Sequence, residues 1–388
     1  MSNINIVGKK CTGCTACLCA CPKNAIQMVG DREGFLYPSI NPISCIDCGI
    51  CVSVCPAEKE IVPEDLRVGA YYGDANDDSI ILRSSSGGAF SVMANYVIRH
   101  NGIVFGAVFN SKTKAIEYSD TDITTLDEIR RSKYVASEVS GAFSKVKKEL
   151  DRGRFVLFCG LPCHVAGLLS YLKKSPENLI TVDFICGGTA SPAFFRTHLE
   201  TLEKQYHAEV QSVNFRAKLF GWKEHSIRVD FANGKSYSNY AMCDSFFKGY
   251  FEKTYQRDSC YDCKYRLCHE ADIIMSDYWG GLMRDIDNNK GLSMIITMSQ
   301  TADAFFVKVL AEEKHSFSTM PLEYTDYVFK TEKERYSKAF EQKKKFLVMN
   351  DRIGFEKTAR AFYMKGTQAF RIRRKLGAIR AKLKGTKA

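Results

Sequence analysis

The sequence predicts a small α+β, cysteine-bound module at the N-terminus, an α/β core with a mainly parallel or mixed sheet, and a basic helical tail. Three observations lead there. Nine of the sixteen cysteines fall before residue 56, in two tight runs. Short apolar strand patterns alternate with helical ones between Ala89 and Pro192. From Arg352 onward there are twelve Lys or Arg against one acid, Glu356.

The cysteine runs come first along the chain. One reads Cys11-Thr-Gly-Cys14-Thr-Ala-Cys17 with Cys21-Pro22, the other Cys45-Ile-Asp-Cys48-Gly-Ile-Cys51 with Cys55-Pro56. Both contain the C-x2-C-x2-C-x3-C-P spacing of bacterial two-cluster ferredoxins, in which the fourth cysteine of each run ligates the other cluster. The spacing therefore predicts a ferredoxin-like module over 1–65. One [4Fe-4S] cluster falls on Cys11, Cys14, Cys17 and Cys55, and a second on Cys45, Cys48, Cys51 and Cys21. A pair of zinc sites is the competing reading, but zinc takes two C-x2-C pairs and has no use for the repeated third cysteine. Cys19 is surplus to the pattern. Two such clusters form a wire, which implies a redox centre elsewhere in the chain or in a partner.

The chain has 388 residues, so about 300 remain beyond this module, enough for one or two further cores. Apolar content of 45% and charged content of 26% are those of ordinary globular proteins. No apolar run is long enough to span a bilayer, and Met1 to Asn5 shows no basic segment leading into an apolar one. A cytoplasmic location follows as an expectation, and a reducing compartment suits metal-bound thiolates better than disulfides.

Past Ile61 the cysteine pattern stops, Tyr71 to Asp78 reads as a polar connection, and a new domain is expected from about residue 70. Ser84-Ser85-Ser86-Gly87-Gly88 precedes a helical pattern, Ala89 to Arg99, and leaves donors free to meet a phosphate. Gly102 to Phe109 reads as a buried strand. Phe155 to Phe158 is another, running into Cys159-Gly160-Leu161-Pro162-Cys163 and a helix from His164 to Leu172. Leu179 to Ile185 is a third, ending at Cys186, with Ser191 as N-cap and Pro192 at the first helical position. Such alternation predicts a parallel α/β arrangement, and in these sheets ligands gather at the carboxyl ends of strands.

Cys163 and Cys186 both lie just past such ends. Ser259-Cys260-Tyr261-Asp262-Cys263 adds two more thiols, followed by Cys268-His269 and an apolar strand, Ile273 to Met275, leading to Asp277. Three readings stay open. Cys163, Cys186, Cys260 and Cys263 hold a third [4Fe-4S] cluster; Cys260, Cys263, Cys268 and His269 hold zinc; or the thiols are free and buried.

At this point the motifs resemble a known family. Ser86-Gly87-Gly88, Arg131-Ser132-Lys133-Tyr134, Gly160-Leu161-Pro162-Cys163, Cys186-Gly187 and Ser259-Cys260-Tyr261-Asp262-Cys263 with Ala271-Asp272-Ile273 stand in the order found in the beta subunit of coenzyme F420 hydrogenases and dehydrogenases. The resemblance runs from about Tyr71 to residue 325. It divides the core into an N-terminal part, 70–150, and a C-terminal part, 151–325, leaving 326–388 as tail. It implies FAD or another flavin in the core, the third cluster beside it, and electron exchange between the clusters and a hydride carrier. Ser85, Ser86, Gly87, Gly88, Lys133, Gly160, Pro162 and Asp277 are the residues it points to around the flavin. His225 and His269 are candidate proton donors. Leu161 and His164 depart from the family's frequent Thr and Gln.

The partners expected are a redox partner such as ferredoxin or a reduced coenzyme, and a small-molecule substrate. The resemblance also suggests a setting in polysaccharide biosynthesis. An electron-transfer subunit serving a separate catalytic partner is the alternative. The helix-forming stretch from Thr358 to Lys384 sets Phe362, Phe370, Ile372, Leu376, Ile379 and Leu383 among its cations. That pattern suits peripheral contact with an anionic membrane surface, and no recognised nucleic-acid module accompanies it.

Overall fold

The computed structural model describes residues 3–61, 64–121, 124–279, 289–329 and 333–363. In the N-terminal module the two cysteine runs fold as a repeat. Thr15 and Gly49 each follow the second cysteine of a run, and both take left-handed backbone, with φ of 66° and 74°. That turn sends the third cysteine into a short helix: α1 (Ala16–Ala20) carries Cys17 and α2 (Ile50–Ser53) carries Cys51. Between them β1 (Ile26–Gly30) and β2 (Leu36–Ile40) pair antiparallel.

The core continues with β3 (Gly69–Gly73), α3 (Asp78–Leu82), α4 (Ala89–Arg99), β4 (Ile103–Asn110) and β5 (Ala115–Thr121). Next come α5 (Leu126–Ile129), β6 (Ser137–Glu138), α6 (Ala142–Asp151), β7 (Val156–Cys159), α7 (Pro162–Leu172), β8 (Leu179–Phe184) and α8 (Pro192–Tyr206). An excursion follows, through β9 (Val210–Asn214), β10 (Ser226–Phe231), β11 (Ser236–Tyr240) and α9 (Ser245–Phe251). The chain returns in β12 (Ile273–Asp277), β13 (Ser293–Thr297), α10 (Gln300–Glu312) and β14 (Ser318–Thr319), and closes with α11 (Lys333–Ile353) and α12 (Phe355–Tyr363).

Nine of these strands form one mixed sheet in the order β14-β3-β13-β12-β8-β7-β4-β5-β6. Its centre, β12-β8-β7-β4, is parallel; β13 and β5 run antiparallel to it on the flanks, and β3 pairs antiparallel with β13, returning to the direction of the centre. Strands of both expected halves of the core therefore share one sheet. The central strands are apolar runs because both faces are covered. On one face Leu157, Ile180 and Ile273 meet Met93 and Val97 of α4 and Phe306 of α10. On the other, Val156, Phe158 and Leu179 meet Phe143 of α6 and Val165 and Leu168 of α7. Ser191 caps α8 by accepting from the Phe194 N–H, with Pro192 in the first turn, as the sequence predicts.

Two expectations need correction. Tyr71 to Asp78 is not simply a polar connection: it opens in β3, where Tyr71 and Tyr72 are buried and pair with Ile295 and Met294 of β13. Aromatic residues on successive positions suit a strand covered on both faces, and only Asp74 onward is loop. The excursion β9 to β11, an antiparallel sheet of its own, was not foreseen either.

The tail expectation divides. Residues 364–388, including most of the cationic stretch, lie outside the described residues. The preceding segment is docked: Phe346, Phe355, Ala359 and Tyr363 pack with Phe194, Phe246 and Tyr255 in one core. An ionic latch holds it. His198 of α8 lies 3.1 Å from Asp244 and 3.1 Å from Glu356 of α12, and His198 and Asp244 are fully buried. Burial works against the imidazolium, but Asp244 and Glu356 overcome it and raise its pKa to about 10. A raised pKa contributes stability in full below the unfolded value of about 6.5, and the contribution is lost as pH rises through about 10. His198→Gln, which leaves Asp244 buried without its cation, is expected to cost about 3–5 kcal/mol at neutral pH. Denaturant unfolding of the two proteins from pH 6 to 10.5 should show that difference shrinking toward high pH; a constant difference sinks the assignment.

Candidate functional site

The structure brings the N-terminal cysteines together in two crossed sets. Cys21 joins Cys45, Cys48 and Cys51 around one pocket. Cys55 joins the first run: burial pushes the Cys14 thiol up to about 12, and Cys11 and Cys55 add to the effect. Backbone N–H groups point at two of the sulfurs, Gly13 to Cys11 at 3.4 Å and Ala25 to Cys21 at 3.3 Å, as suits thiolates that carry charge in a cluster. Cys48 is exposed, Cys14, Cys17 and Cys55 are buried, and the second set is accordingly the outer one. Cys19 belongs to neither and packs between module and core.

The module is seated on the core by buried polar contacts. Lys343 of α11 lies 2.9 Å from Glu33 and 2.7 Å from Asp258, the Ser191 hydroxyl donates to the Glu33 carbonyl, and the Tyr265 hydroxyl donates to the Pro56 carbonyl.

Below this interface Cys163, Cys186, Cys260 and Cys263 line a single pocket. Burial pushes the thiols up, Cys186 to about 12 and Cys263 to about 11. Cys163 goes well above its usual value, with Cys263, Cys186 and Cys260 adding to burial, and Cys14 last. Four half-buried cysteines around one pocket, whose thiolates would repel one another, suit a metal centre that neutralises their anions. Cys163 sits in the first turn of α7, where the helix dipole favours a thiolate. The zinc alternative is not assembled: His269 Nδ1 bonds Asp183 at 2.9 Å, and neither His269 nor Cys268 lies on this pocket's wall.

Next to it is a cavity of about 350 Å³, in the size range of cofactor sites. Leu161, Cys186, Gly188 and Thr189 line both. Ser85, Ser86, Gly88, Lys133, Gly160 and Asp277, from four separate stretches of sequence, all reach the cavity wall. Gly87 does not: its N–H donates to the Ser293 hydroxyl, and a Cβ there would stand 2.4 Å from the Gly73 carbonyl oxygen. Pro162 lines the cysteine pocket instead.

The cavity wall sets four basic side chains, Arg130, Arg131, Lys133 and Arg216, among hydroxyls and one carboxylate, Asp277. Gly88, at φ 95°, opens α4, whose first residues face the cavity. Ser85 accepts from the Ser132 N–H at 2.8 Å, and Arg131 stands beside them with no carboxylate among its described hydrogen bonds, giving its Nε to the Arg83 carbonyl. Lys133 donates to the carbonyls of Glu128, Ile129 and Arg130 at 2.7–2.8 Å; burial, then Arg131, draws its pKa down to about 7. Arg216 is 4% exposed and held by Asp277 at 3.0 Å and the Tyr134 hydroxyl at 3.1 Å, while its Nη2 has no partner among the described residues. A buried unpartnered guanidinium nitrogen, a helix N-terminus and a small-residue cradle fit a planar cofactor that bears phosphate.

The histidines singled out by sequence stand elsewhere. His225 is off the cavity wall, its ring against Phe251, and burial, then Arg216, lowers its pKa to about 4. Instead Tyr118 of β5 lines the cavity, its hydroxyl 3.2 Å from Nδ1 of His164. Burial, then Arg257, lowers the pKa of His164 to about 3, so its ring is neutral beside the Tyr118 hydroxyl. Arg216 and Tyr118 carry no motif in sequence and were missed; Arg131 lay within a quoted motif without a role.

Comparison with known proteins agrees with this layout. Residues 10–59 match the 4Fe-4S dicluster domain, and residues 153–322 match the C terminus of the coenzyme F420 hydrogenase/dehydrogenase beta subunit. The ferredoxin-like protein in the nif region of Sinorhizobium fredii is 39% identical over 64 residues, 15% of this chain and 92% of the relative. A ferredoxin of Mycolicibacterium smegmatis is 36% identical over 78 residues, 20% of this chain and 69% of the relative. Among solved structures, a chain of the F420-reducing [NiFe] hydrogenase complex from Methanosarcina barkeri aligns with 14% identity and a TM-score of 0.48, over 75% of this chain and 95% of that one. Cysteine layout and matches together define an iron–sulfur electron-transfer protein. The chain thus joins a two-cluster ferredoxin domain at its N-terminus to a region, residues 153–322, related to the C terminus of the coenzyme F420 hydrogenase/dehydrogenase beta subunit. Among the described residues no helix is long and apolar enough to cross a membrane.

Proposed function

We propose that this protein is a flavin-dependent iron–sulfur oxidoreductase, passing electrons between [4Fe-4S] clusters and a flavin that exchanges hydride with a coenzyme or small organic substrate. The observation that carries the proposal is the wall shared by the four-cysteine pocket and the cavity, with Cys186 facing both. The two crossed N-terminal sets would hold two clusters, and Cys163, Cys186, Cys260 and Cys263 the third. A bound flavin supplies the exchange between two-electron hydride chemistry and one-electron cluster chemistry.

This chain's residues bind and orient. The first turn of α4, the Ser85 and Ser132 hydroxyls and Arg131 would take a phosphate. Arg216, braced by Asp277 and Tyr134, presents its free Nη2 to an anionic group. Lys133 has given all three protons to carbonyls, so it adds positive field more than a contact. Tyr118 carries the cavity-facing hydroxyl nearest a second proton site, His164.

Anaerobic purification followed by iron, sulfide and flavin analysis tests this. About twelve irons and one flavin per chain are expected, four irons to a cluster; about eight irons with no flavin overturns it. A specific feature keeps the second reading, an electron-transfer subunit for a separate partner: Ile43, 94% exposed, and Ile46 rim the outer cysteine set beside exposed Cys48, a surface where a redox protein could dock. Turnover of a reduced coenzyme by the purified protein alone favours the first reading over this one.

A further inference from the structure

Arg257 stands between the two inner cysteine sets with no carboxylate partner among the described residues. It is 3% exposed and lines the pocket of Cys163, Cys186, Cys260 and Cys263. Its Nε donates to the Cys11 carbonyl at 2.6 Å, and its Nη2 donates to the Leu36 carbonyl at 2.7 Å and reaches Cys11 Sγ at 3.6 Å. The guanidinium lies over the Tyr37 ring, 4.3 Å from its centroid. The Cys11–Cys14 loop closes directly onto it: a Cβ on Gly13, where φ is 79°, would stand 3.0 Å from Nη1. The neighbouring carboxylate, Asp258, is taken by Lys343 and Lys9.

A buried cation without a counter-ion is strongly disfavoured, and carbonyl dipoles and a tyrosine face compensate it only in part. The groups left to balance it are the thiolates on either side. A cluster held by four thiolates is anionic and becomes more so on reduction, and its potential responds to nearby charge and to hydrogen bonds on its sulfurs.

We propose that Arg257 is the shared counter-ion of the two inner cluster sites and raises the reduction potential of both, so that electrons entering at the outer site are drawn inward. The proposal rests on the three-cluster reading above. In each step one electron is taken up by an inner cluster, supplied by the external donor through the outer one. No proton moves: the guanidinium stays protonated and offsets the added negative charge. Arg257 acts as a positioning and tuning residue, touching no substrate.

The test is a potentiometric titration followed by electron paramagnetic resonance on the full chain, its inner signals assigned with Cys260→Ala. Arg257→Gln is expected to move the midpoint potentials of both inner clusters to more negative values and leave the outer one in place. Arg257→Lys, which keeps the charge but not the paired hydrogen bonds, should shift them less in the same direction. Lys343→Gln loosens the module's seat without touching the guanidinium and should leave all three unchanged. Unchanged inner potentials in whichever Arg257 variant assembles twelve irons, an equal shift in Lys343→Gln, or failure of both Arg257 variants to assemble clusters, which would mark a purely structural role, each overturns the proposal. An iron count of eight in the unmodified protein instead defeats the three-cluster reading itself, so the two failures are separable.

Discussion

Replacing Cys260 with Ala is expected to lower bound iron from about twelve to about eight per chain while the flavin and the two N-terminal clusters stay. The third set is built from three separated segments, the start of α7, the end of β8 and the Cys260–Cys263 turn, and its thiols do not contribute to either ferredoxin pocket. Reduction of the flavin by a low-potential donor should then nearly cease, because the pocket of the missing cluster is the one that adjoins the cavity. Loss of all twelve irons, or undiminished flavin reduction, would contradict this layout.

The second large effect is expected at Gly167. It lies four residues after Cys163 on α7, hence on the same helix face, and that face receives the ferredoxin module. A Cβ at Gly167 would stand 2.8 Å from both Cβ and Sγ of Cys14. Gly167 stands about one helical turn, about 6 Å of axial rise, from Cys163, and only a residue without a side chain lets Cys14 sit against α7 there. Gly167→Leu forces the module off its seat. Overpacking of this kind costs about 1–3 kcal/mol, which reduces the ratio of docked to undocked module about five- to a hundredfold. Iron content should hold near twelve, flavin reduction by a donor entering at the outer site should fall, and proteolysis after Glu60 should quicken. Unaltered flavin reduction would mean that electrons do not cross at α7.

The same interface shows what a linear reading can and cannot reach. The cysteine runs were legible because each set of three thiols is contiguous, and local backbone at Thr15 and Gly49 is enough to wrap them. The loop from Ser85 to Gly88, Lys133, Gly160 and Asp277 were legible because glycines, strand ends and family motifs mark them. Arg216 was not: it follows β9, in an antiparallel excursion with no motif, and reaches the cavity only because Asp277, 61 residues on, holds it there. Arg257 gave no signal, as its meaning depends on Cys11, 246 residues earlier. Lys133 was legible in position and misleading in role, since the carbonyls at the end of α5 occupy all its protons.

Sequence by itself determined that this is an iron–sulfur protein with an α/β core, because cluster ligation and strand and helix periodicity are written in short-range spacing. Tertiary structure decided how the parts form a path. It placed Cys14 against Gly167 of α7, gathered four distant thiols beside the cavity, and buried Arg257, without a carboxylate partner among the described residues, between the inner sets. These are contacts between residues far apart in the chain, and they exist only once the sheet has fixed where its strands end and the module has docked on the helix that follows β7.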